Sequence, residues 1–222
     1  MKINLNYSNK NLISYIKKSV IDDYYLNNQE DFRKRIVKLI NPNDEVLDIG
    51  KSSRNYYKKI NCKNLVTLDI NKYEDYPDIV FDLCSNLQNN LFEKFDKIIC
   101  LAILEHVYNP FLASENLKKM LKPGGIIFGY VPYLYKYHAP NDLKYQDYFR
   151  FSRDALSYLF KDFSEIKLFP VRGRLSTPLN LLFGNRWKNY FEKFGINILL
   201  DKLTNINTNR IQCSGYNFII KK

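Results

Sequence analysis

The residues with the most evident chemistry are two histidines and a spaced set of acids. His106 and His138 are the only imidazoles in the chain, and imidazole is the side chain best suited to taking a proton from a hydroxyl near neutral pH. Asp48, Asp69 and Asp82 each fall at or near the end of a short apolar run, as does the pair Glu105-His106. A carboxylate at a strand end accepts both hydroxyls of a ribose, and Gly50 lets the backbone come close to a ligand. Further on, Asp142 is placed to orient the His138 ring or to bind an acceptor, and Arg150 offers the two-pronged donor geometry that suits an anion. Tyr133 heads a tyrosine-rich stretch whose rings can stack on a sugar or a base. Plainer readings stand beside these. Asp48 also reads as a buried carboxylate bonded to loop amides, Asp69 as a helix cap, and the segment from His138 to Arg150 as a packed connector with Arg150 paired to Asp147 or Asp154.

These side chains need elements to hold them. Apolar runs at 45–50 (EVLDIG), 64–70 (NLVTLDI), 79–83 (IVFDL), 96–103 (DKIICLAI) and 126–131 (IIFGYV) are short and rich in β-branched residues. Each is apolar enough to be buried on both faces, as parallel strands covered by helices must be. Asn109 as N-cap and Pro110 at the first position open a helix that Lys122-Pro123-Gly124-Gly125 ends. Strand, helix, strand in this order predicts right-handed crossovers and a doubly wound sheet. In such a sheet ligands bind outside the carboxyl ends of the strands, where the acids and histidines above fall. Before this core, residues 1–43 are polar and helical in pattern, with Ile13, Ile16 and Ile21 in one stretch and Phe32, Ile36 and Leu39 in another. After it, a helix is expected from Ser152 to about Phe163 and strands at 165–171 and 214–220. Between those strands, 174–212 reads as a helical insertion with Trp187, Tyr190 and Phe194 among basic residues.

The chain of 222 residues is long enough for one core with an elaboration, and too short for two full domains. With 45% apolar and 15% aromatic residues it is expected to fold. Lys and Arg number 34 against 23 Asp and Glu, a formal charge of 34 − 23 = +11. From Ser164 onward there are ten basic and three acidic residues, so +7 of the +11 lies in that segment. Anionic partners follow from such an imbalance, as does a plain solvated surface. Four cysteines without paired spacing read as reduced thiols rather than as a metal or disulfide framework, and no metal ligand cluster is expected. No signal-peptide pattern and no run of 18 apolar residues predicts a cytoplasmic protein.

The dinucleotide fingerprint needs G-x-G-x-x-G, and only its first glycine, Gly50, is present. The order of motifs instead resembles the class I S-adenosylmethionine-dependent methyltransferases with a Leu-Glu-His-Val element after the fourth strand. EVLDIG at 45–50, LDI at 68–70, DL at 82–83, FDKIICLAILEHV at 95–107 and LKKMLKPGG at 117–125 carry the resemblance, with the glycine-poor Gly50-Lys51-Ser52-Ser53 as its one departure. The resemblance implies an α/β, Rossmann-like, doubly wound and mostly parallel sheet of about seven strands, with N-terminal helices and a helical insertion before the last strand. It implies S-adenosyl-L-methionine as cofactor: Gly50 and Lys51 at its methionine end beside Asp48, Asp69 and Ile70 at the ribose, Asp82 and Leu83 at the adenine, and Ala102 along the same site. His138 becomes the first choice of base for a hydroxyl acceptor, with His106 and Asp142 assisting, and Tyr133 and Arg150 binding the acceptor. His138-Ala139-Pro140-Asn141-Asp142 and Asp147-Tyr148-Phe149-Arg150-Phe151-Ser152 resemble a pattern in methyltransferases of surface polysaccharide assembly. The expected acceptor is therefore a carbohydrate or sugar-linked phosphate-type group, anionic and small or glycan-borne. Nucleic-acid methylation and a non-catalytic scaffold are the competing expectations. Segment 174–212 is expected to touch the inner membrane face or to form a homodimer contact.

Overall fold

The computed structural model describes residues 19–21, 29–50, 54–142, 144–183, 190, 193–204 and 210–222. In chain order these give β1 (Ser19–Ile21), α1 (Gln29–Leu39), β2 (Glu45–Ile49), β3 (Asn64–Asp69), β4 (Ile79–Val80) and β5 (Phe95–Leu101). There follow α2 (Pro110–Met120), β6 (Leu121–Pro132), α3 (Arg153–Leu159), β7 (Glu165–Val171), α4 (Ser176–Leu182), α5 (Ile196–Lys202) and β8 (Gly215–Lys221). The strands form one sheet in the order β1-β7-β8-β6-β5-β2-β3-β4. All pairs are parallel except those of β8, which runs antiparallel to both β6 and β7. This is the Rossmann-like sheet expected, widened by one short edge strand. The chain leaves β2 toward β3 and β4 on one side and β5 lies on the other, so the strand order reverses between β2 and β5. A crevice opens at their carboxyl ends.

Alternation along the strands supplies both faces. Ile98 and Cys100 of β5 join Leu47, Leu68, Ile127 and Phe218 in a core covered by Ala113, Leu117 and Met120 of α2 and by Leu156 of α3. Ile99 and Leu101 point the other way, onto Phe32, Ile36 and Ile40. Helices α2 and α3 start as expected: the Asn109 side chain accepts the Leu112 amide at 3.2 Å and the Ser152 hydroxyl the Ala155 amide at 3.2 Å. Gly129 in β6 is required by contact, since a Cβ there would lie 2.0 Å from the Phe218 ring.

Several expectations change in detail. Ile21, read as helical, lies in β1 beside Leu168 of β7; three residues are too few for a period to show. Ile13 and Ile16 lie outside the described residues. In α1 the buried stripe is Phe32, Ile36 and then Ile40, whereas Leu39 is 40% exposed, because positions four apart stack on one face. The fifth expected strand begins earlier, at Leu121 opposite Phe95, and resumes after a bulge with Lys97 opposite Ile126. The Pro-Gly-Gly turn makes that bulge, with Gly124 at φ +74°.

In the insertion, α4 and α5 meet on one buried carboxylate. Asp201 accepts the amides of Gly173, Leu175 and Ser176 at 2.7, 3.2 and 3.0 Å and the Ser176 hydroxyl at 2.5 Å. Trp187 lies outside the described residues. Among them, no helix is long and apolar enough to cross a membrane.

Candidate active site

The crevice at the switch point holds a cavity of about 480 Å³, within the range of sites for small ligands. Gly50, Asp69, Ile70, Asp82, Leu83, Ala102, His106 and His138, all expected at the site, line it together. Lys51 lies outside the described residues. Two backbone turns open the crevice. Gly50 leaves β2 at φ +69°, its N–H donating to the Leu68 carbonyl at 2.9 Å, and a Cβ there would lie 2.4 Å from Ile103 Cδ1. Ala102 leaves β5 at φ +57° and donates its N–H to the Tyr130 carbonyl at 2.9 Å. An alanine held in the left-handed region is backbone strain kept by its surroundings, here beside the cavity.

Each acid is pinned by one amide and one phenol. Asp69 Oδ1 accepts the Asn71 N–H at 2.9 Å and Oδ2 the Tyr76 hydroxyl at 3.1 Å. Asp82 Oδ1 accepts the Cys84 N–H at 2.8 Å and Oδ2 the Tyr108 hydroxyl at 3.0 Å. Burial and Asp69 push the Tyr76 phenol up, and Asp82 does the same to Tyr108, so both remain donors. A carboxylate oxygen has two lone pairs, and each of these therefore keeps acceptor capacity for a ligand. Behind them, the Asn116 side-chain amide of α2 donates to the carbonyls of Leu83 and Ser85 at 2.9 and 2.8 Å, fixing the loop that presents Asp82. Asp48 is fully buried in β2 and does not line the cavity. Arg33 of α1 does, with its Nε buried and without an acceptor among the described residues.

The histidine-lined part of the cavity is built by two segments tied together. The Glu105 carbonyl accepts the amides of Tyr148 and Phe149 at 2.8 and 3.1 Å, which folds the stretch after His138 back onto the end of β5. His106 and His138 then stand 4.9 Å apart, ring centre to ring centre, with Tyr145 packed 4.5 Å from His106. The Glu105 side chain is fully buried between them, its Oε1 3.7 Å from His106 Nε2 and 3.8 Å from His138 Nε2. The Glu105 carboxylate and that of Asp147 raise the His138 pKa against the opposing effect of burial.

Three expected roles move. Asp142 is exposed, pairs with Lys144 at 2.8 Å and does not line the cavity. The carboxylate at His138 is Asp147, which accepts the His138 N–H at 3.0 Å and faces its Nδ1 at 3.2 Å. Arg150 is not turned to an acceptor: its five N–H groups go to both oxygens of Asp147 and to the carbonyls of Tyr135, Lys136 and Phe149. That guanidinium holds the Asp147 carboxyl down at about 2. Tyr133 packs beside Tyr216, 6.3 Å between ring centres, rather than in the cavity. The connector reading of Arg150 with Asp147 is thus the one the structure has. Sequence reasoning paired Asp147 with Arg150 but missed its contact with His138, and it missed Arg33, Tyr76, Tyr108 and Asn116, whose parts depend on contacts across the fold.

Residues 32–129, from α1 into β6, match a family model described as a methyltransferase domain. The matched stretch contains the whole acid-lined part of the cavity. A ubiquinone biosynthesis O-methyltransferase of Histophilus somni (strain 2336) is 38% identical over 55 residues, 24% of this chain and 23% of that protein. The matched segment is therefore less than a quarter of that relative's length. Phosphoethanolamine N-methyltransferase 2 of Haemonchus contortus, solved with phosphomonomethylethanolamine and S-adenosylhomocysteine, aligns with 98% of this chain and 58% of its own at TM-score 0.56 and 13% identity. A SAM-dependent methyltransferase from Archaeoglobus fulgidus aligns with 88% of this chain and 95% of its own at TM-score 0.50 and 19% identity. These likenesses show the fold. The matched stretch ends before His138, so the lining of the cavity is completed by the chain beyond it.

Proposed function

We propose that the protein is an S-adenosylmethionine-dependent O-methyltransferase whose acceptor is a hydroxyl of a carbohydrate or sugar-linked phosphate-type group in surface glycan assembly. One observation carries the reading: a single cavity is lined by ribose- and adenine-type acceptors, Asp69 and Asp82, and by His106 and His138, which group with the buried Glu105. The bound cofactor supplies a methyl group on a positively charged sulfur, and in-line displacement joins it to the acceptor oxygen while the electron pair of the broken bond stays on sulfur. The chain's own part is alignment and handling of one proton. Asp69 and Tyr76 place the ribose, and Asp82, held by Tyr108 and Asn116, places the adenine. Arg33 offers its guanidinium to the carboxylate of the methionine end. The acceptor hydroxyl loses its proton at the group formed by Glu105, His106 and His138.

The positive charge of +11 supports an anionic acceptor. The resemblance of 138–152 to the polysaccharide pattern supports a sugar. A radiolabelled methyl donor offered with nucleotide-linked sugars, phosphorylated sugars, RNA and DNA tests this. Label is expected on a sugar acceptor; label on nucleic acid, or cofactor binding without transfer to any sugar, overturns the acceptor class.

A further inference from the structure

The geometry points to a binding site for a divalent transition-metal ion, Zn²⁺ being the type, formed by Glu105, His106 and His138 with one coordination position open to the cavity. The inference deepens the reading of the cavity as a methyl-transfer site and rests on it for the use of that open position. One ligand atom from each residue lies within 4.8 Å of the other two. Glu105 is completely buried, and neither of its carboxylate oxygens has a hydrogen-bond partner among the described residues. A buried carboxylate without donors is costly, and it calls for a cation.

The distances say which kind. Glu105 Oε1 is 3.7 and 3.8 Å from the two imidazole Nε2 atoms, whereas a charged N–H···O bond would close to about 2.8 Å. Ligand atoms on a tetrahedral ion with bonds of about 2.1 Å stand about 3.4 Å apart, so a small contraction of this group seats one.

The rings are already set for coordination. His106 Nδ1 lies 2.6 Å from the Gln146 carbonyl, which can only accept, so the proton sits on Nδ1 and the lone pair on Nε2. His138 Nδ1 faces the Asp147 carboxylate at 3.2 Å and the Lys136 carbonyl at 3.3 Å, again acceptors only, with the same consequence. A carbonyl or carboxylate behind each imidazole is the arrangement that fixes metal-ligating histidines. Two imidazoles and a carboxylate suit zinc, cobalt or nickel, while magnesium and calcium favour oxygen alone. In this arrangement His138 is a ligand rather than the base that its place in the sequence suggests. An acceptor hydroxyl in the fourth position gives its proton to solvent near neutral pH, because the ion stabilises the oxyanion left behind. The O–C bond then forms as the C–S bond breaks, with the electron pair on sulfur.

The test uses the untagged full chain, stripped with a chelator and titrated calorimetrically with Zn²⁺, with S-adenosylhomocysteine titrated into the same preparations. One saturable Zn²⁺ site per chain is expected, lost in His138→Ala and in Glu105→Gln. Co²⁺ is expected to give visible d–d bands of a four-coordinate N/O site without a thiolate charge-transfer band, in wild type only. His138 lies on a surface segment, so His138→Ala keeps the test decisive if Glu105→Gln does not fold. No stoichiometric Zn²⁺ site in the wild type, or the same site in folded His138→Ala, overturns the metal proposal. Retained S-adenosylhomocysteine binding would then leave the methyltransferase reading standing, whereas its absence would remove that reading separately.

Discussion

Replacing Asp69 by Asn probes the cofactor end with little change in shape. The wild-type carboxylate is held by the Asn71 amide at 2.9 Å and the Tyr76 hydroxyl at 3.1 Å, and lines the cavity with its remaining acceptor capacity. The Asn amide oxygen keeps one of these contacts, and its NH₂ group turns a donor toward the ligand. A charged acceptor for a ribose hydroxyl is thereby lost, an interaction of about 1.5–3 kcal/mol. At about 1.4 kcal/mol per tenfold, the dissociation constant for S-adenosylhomocysteine should rise by about ten- to 150-fold. Calorimetry on wild type, Asp69→Asn and Asp142→Asn reads this directly. Asp142 is exposed, paired with Lys144 and outside the cavity, so its variant should bind as wild type does. If Asp69→Asn keeps the wild-type melting temperature and the wild-type affinity, the ribose does not sit at Asp69 and the orientation of the cofactor is wrong.

Arg33→Met should weaken S-adenosylhomocysteine by a similar factor, about ten- to 150-fold, since one charged hydrogen-bonding partner is removed; unchanged affinity by calorimetry would free Arg33 from that role. Asp147→Asn leaves the three proposed ligands in place but weakens the support of His138, and Zn²⁺ affinity should fall by about 10- to 100-fold. Phe32→Ala empties a fully buried position between α1 and the sheet and should cost about 3–5 kcal/mol in chemical denaturation. Acid stability is tied in part to Asp78, whose carboxyl the Thr67 hydroxyl and amide hold below its ordinary 3.8. A group lowered in the folded state contributes fully above its unfolded pKa and loses that contribution as pH falls through the folded value. Melting temperature should therefore drop below about pH 4, with a shallower drop in Asp78→Asn.

The sheet was legible because its strands are buried on both faces, so that runs such as 45–50 and 96–103 stand out without any partner being known. These residues of the cavity lining were legible for a related reason: Gly50, Asp69, Asp82 and Ala102 fall at or just after strand ends, and a doubly wound sheet brings strand ends together. The acceptor end was less so. Asp142 and Asp147 are both acids within ten residues of His138, and nothing local distinguishes them; Asp147 wins because the Glu105 carbonyl draws in the amides of Tyr148 and Phe149. Arg150 could be read as an anion binder only while its five acceptors, scattered from Tyr135 to Phe149, were unknown. Glu105 stood out as part of a Glu-His pair, yet the grouping with His138 needed the fold. Arg33 was hidden on a helix whose buried stripe alone was visible in the sequence.

The central claim is that the cavity binds the methyl donor, and a calorimetric titration of the wild-type chain with S-adenosylhomocysteine tests it most directly. A single saturable site per chain is predicted, while no binding up to millimolar ligand would contradict the account and leave a methyltransferase fold without its cofactor.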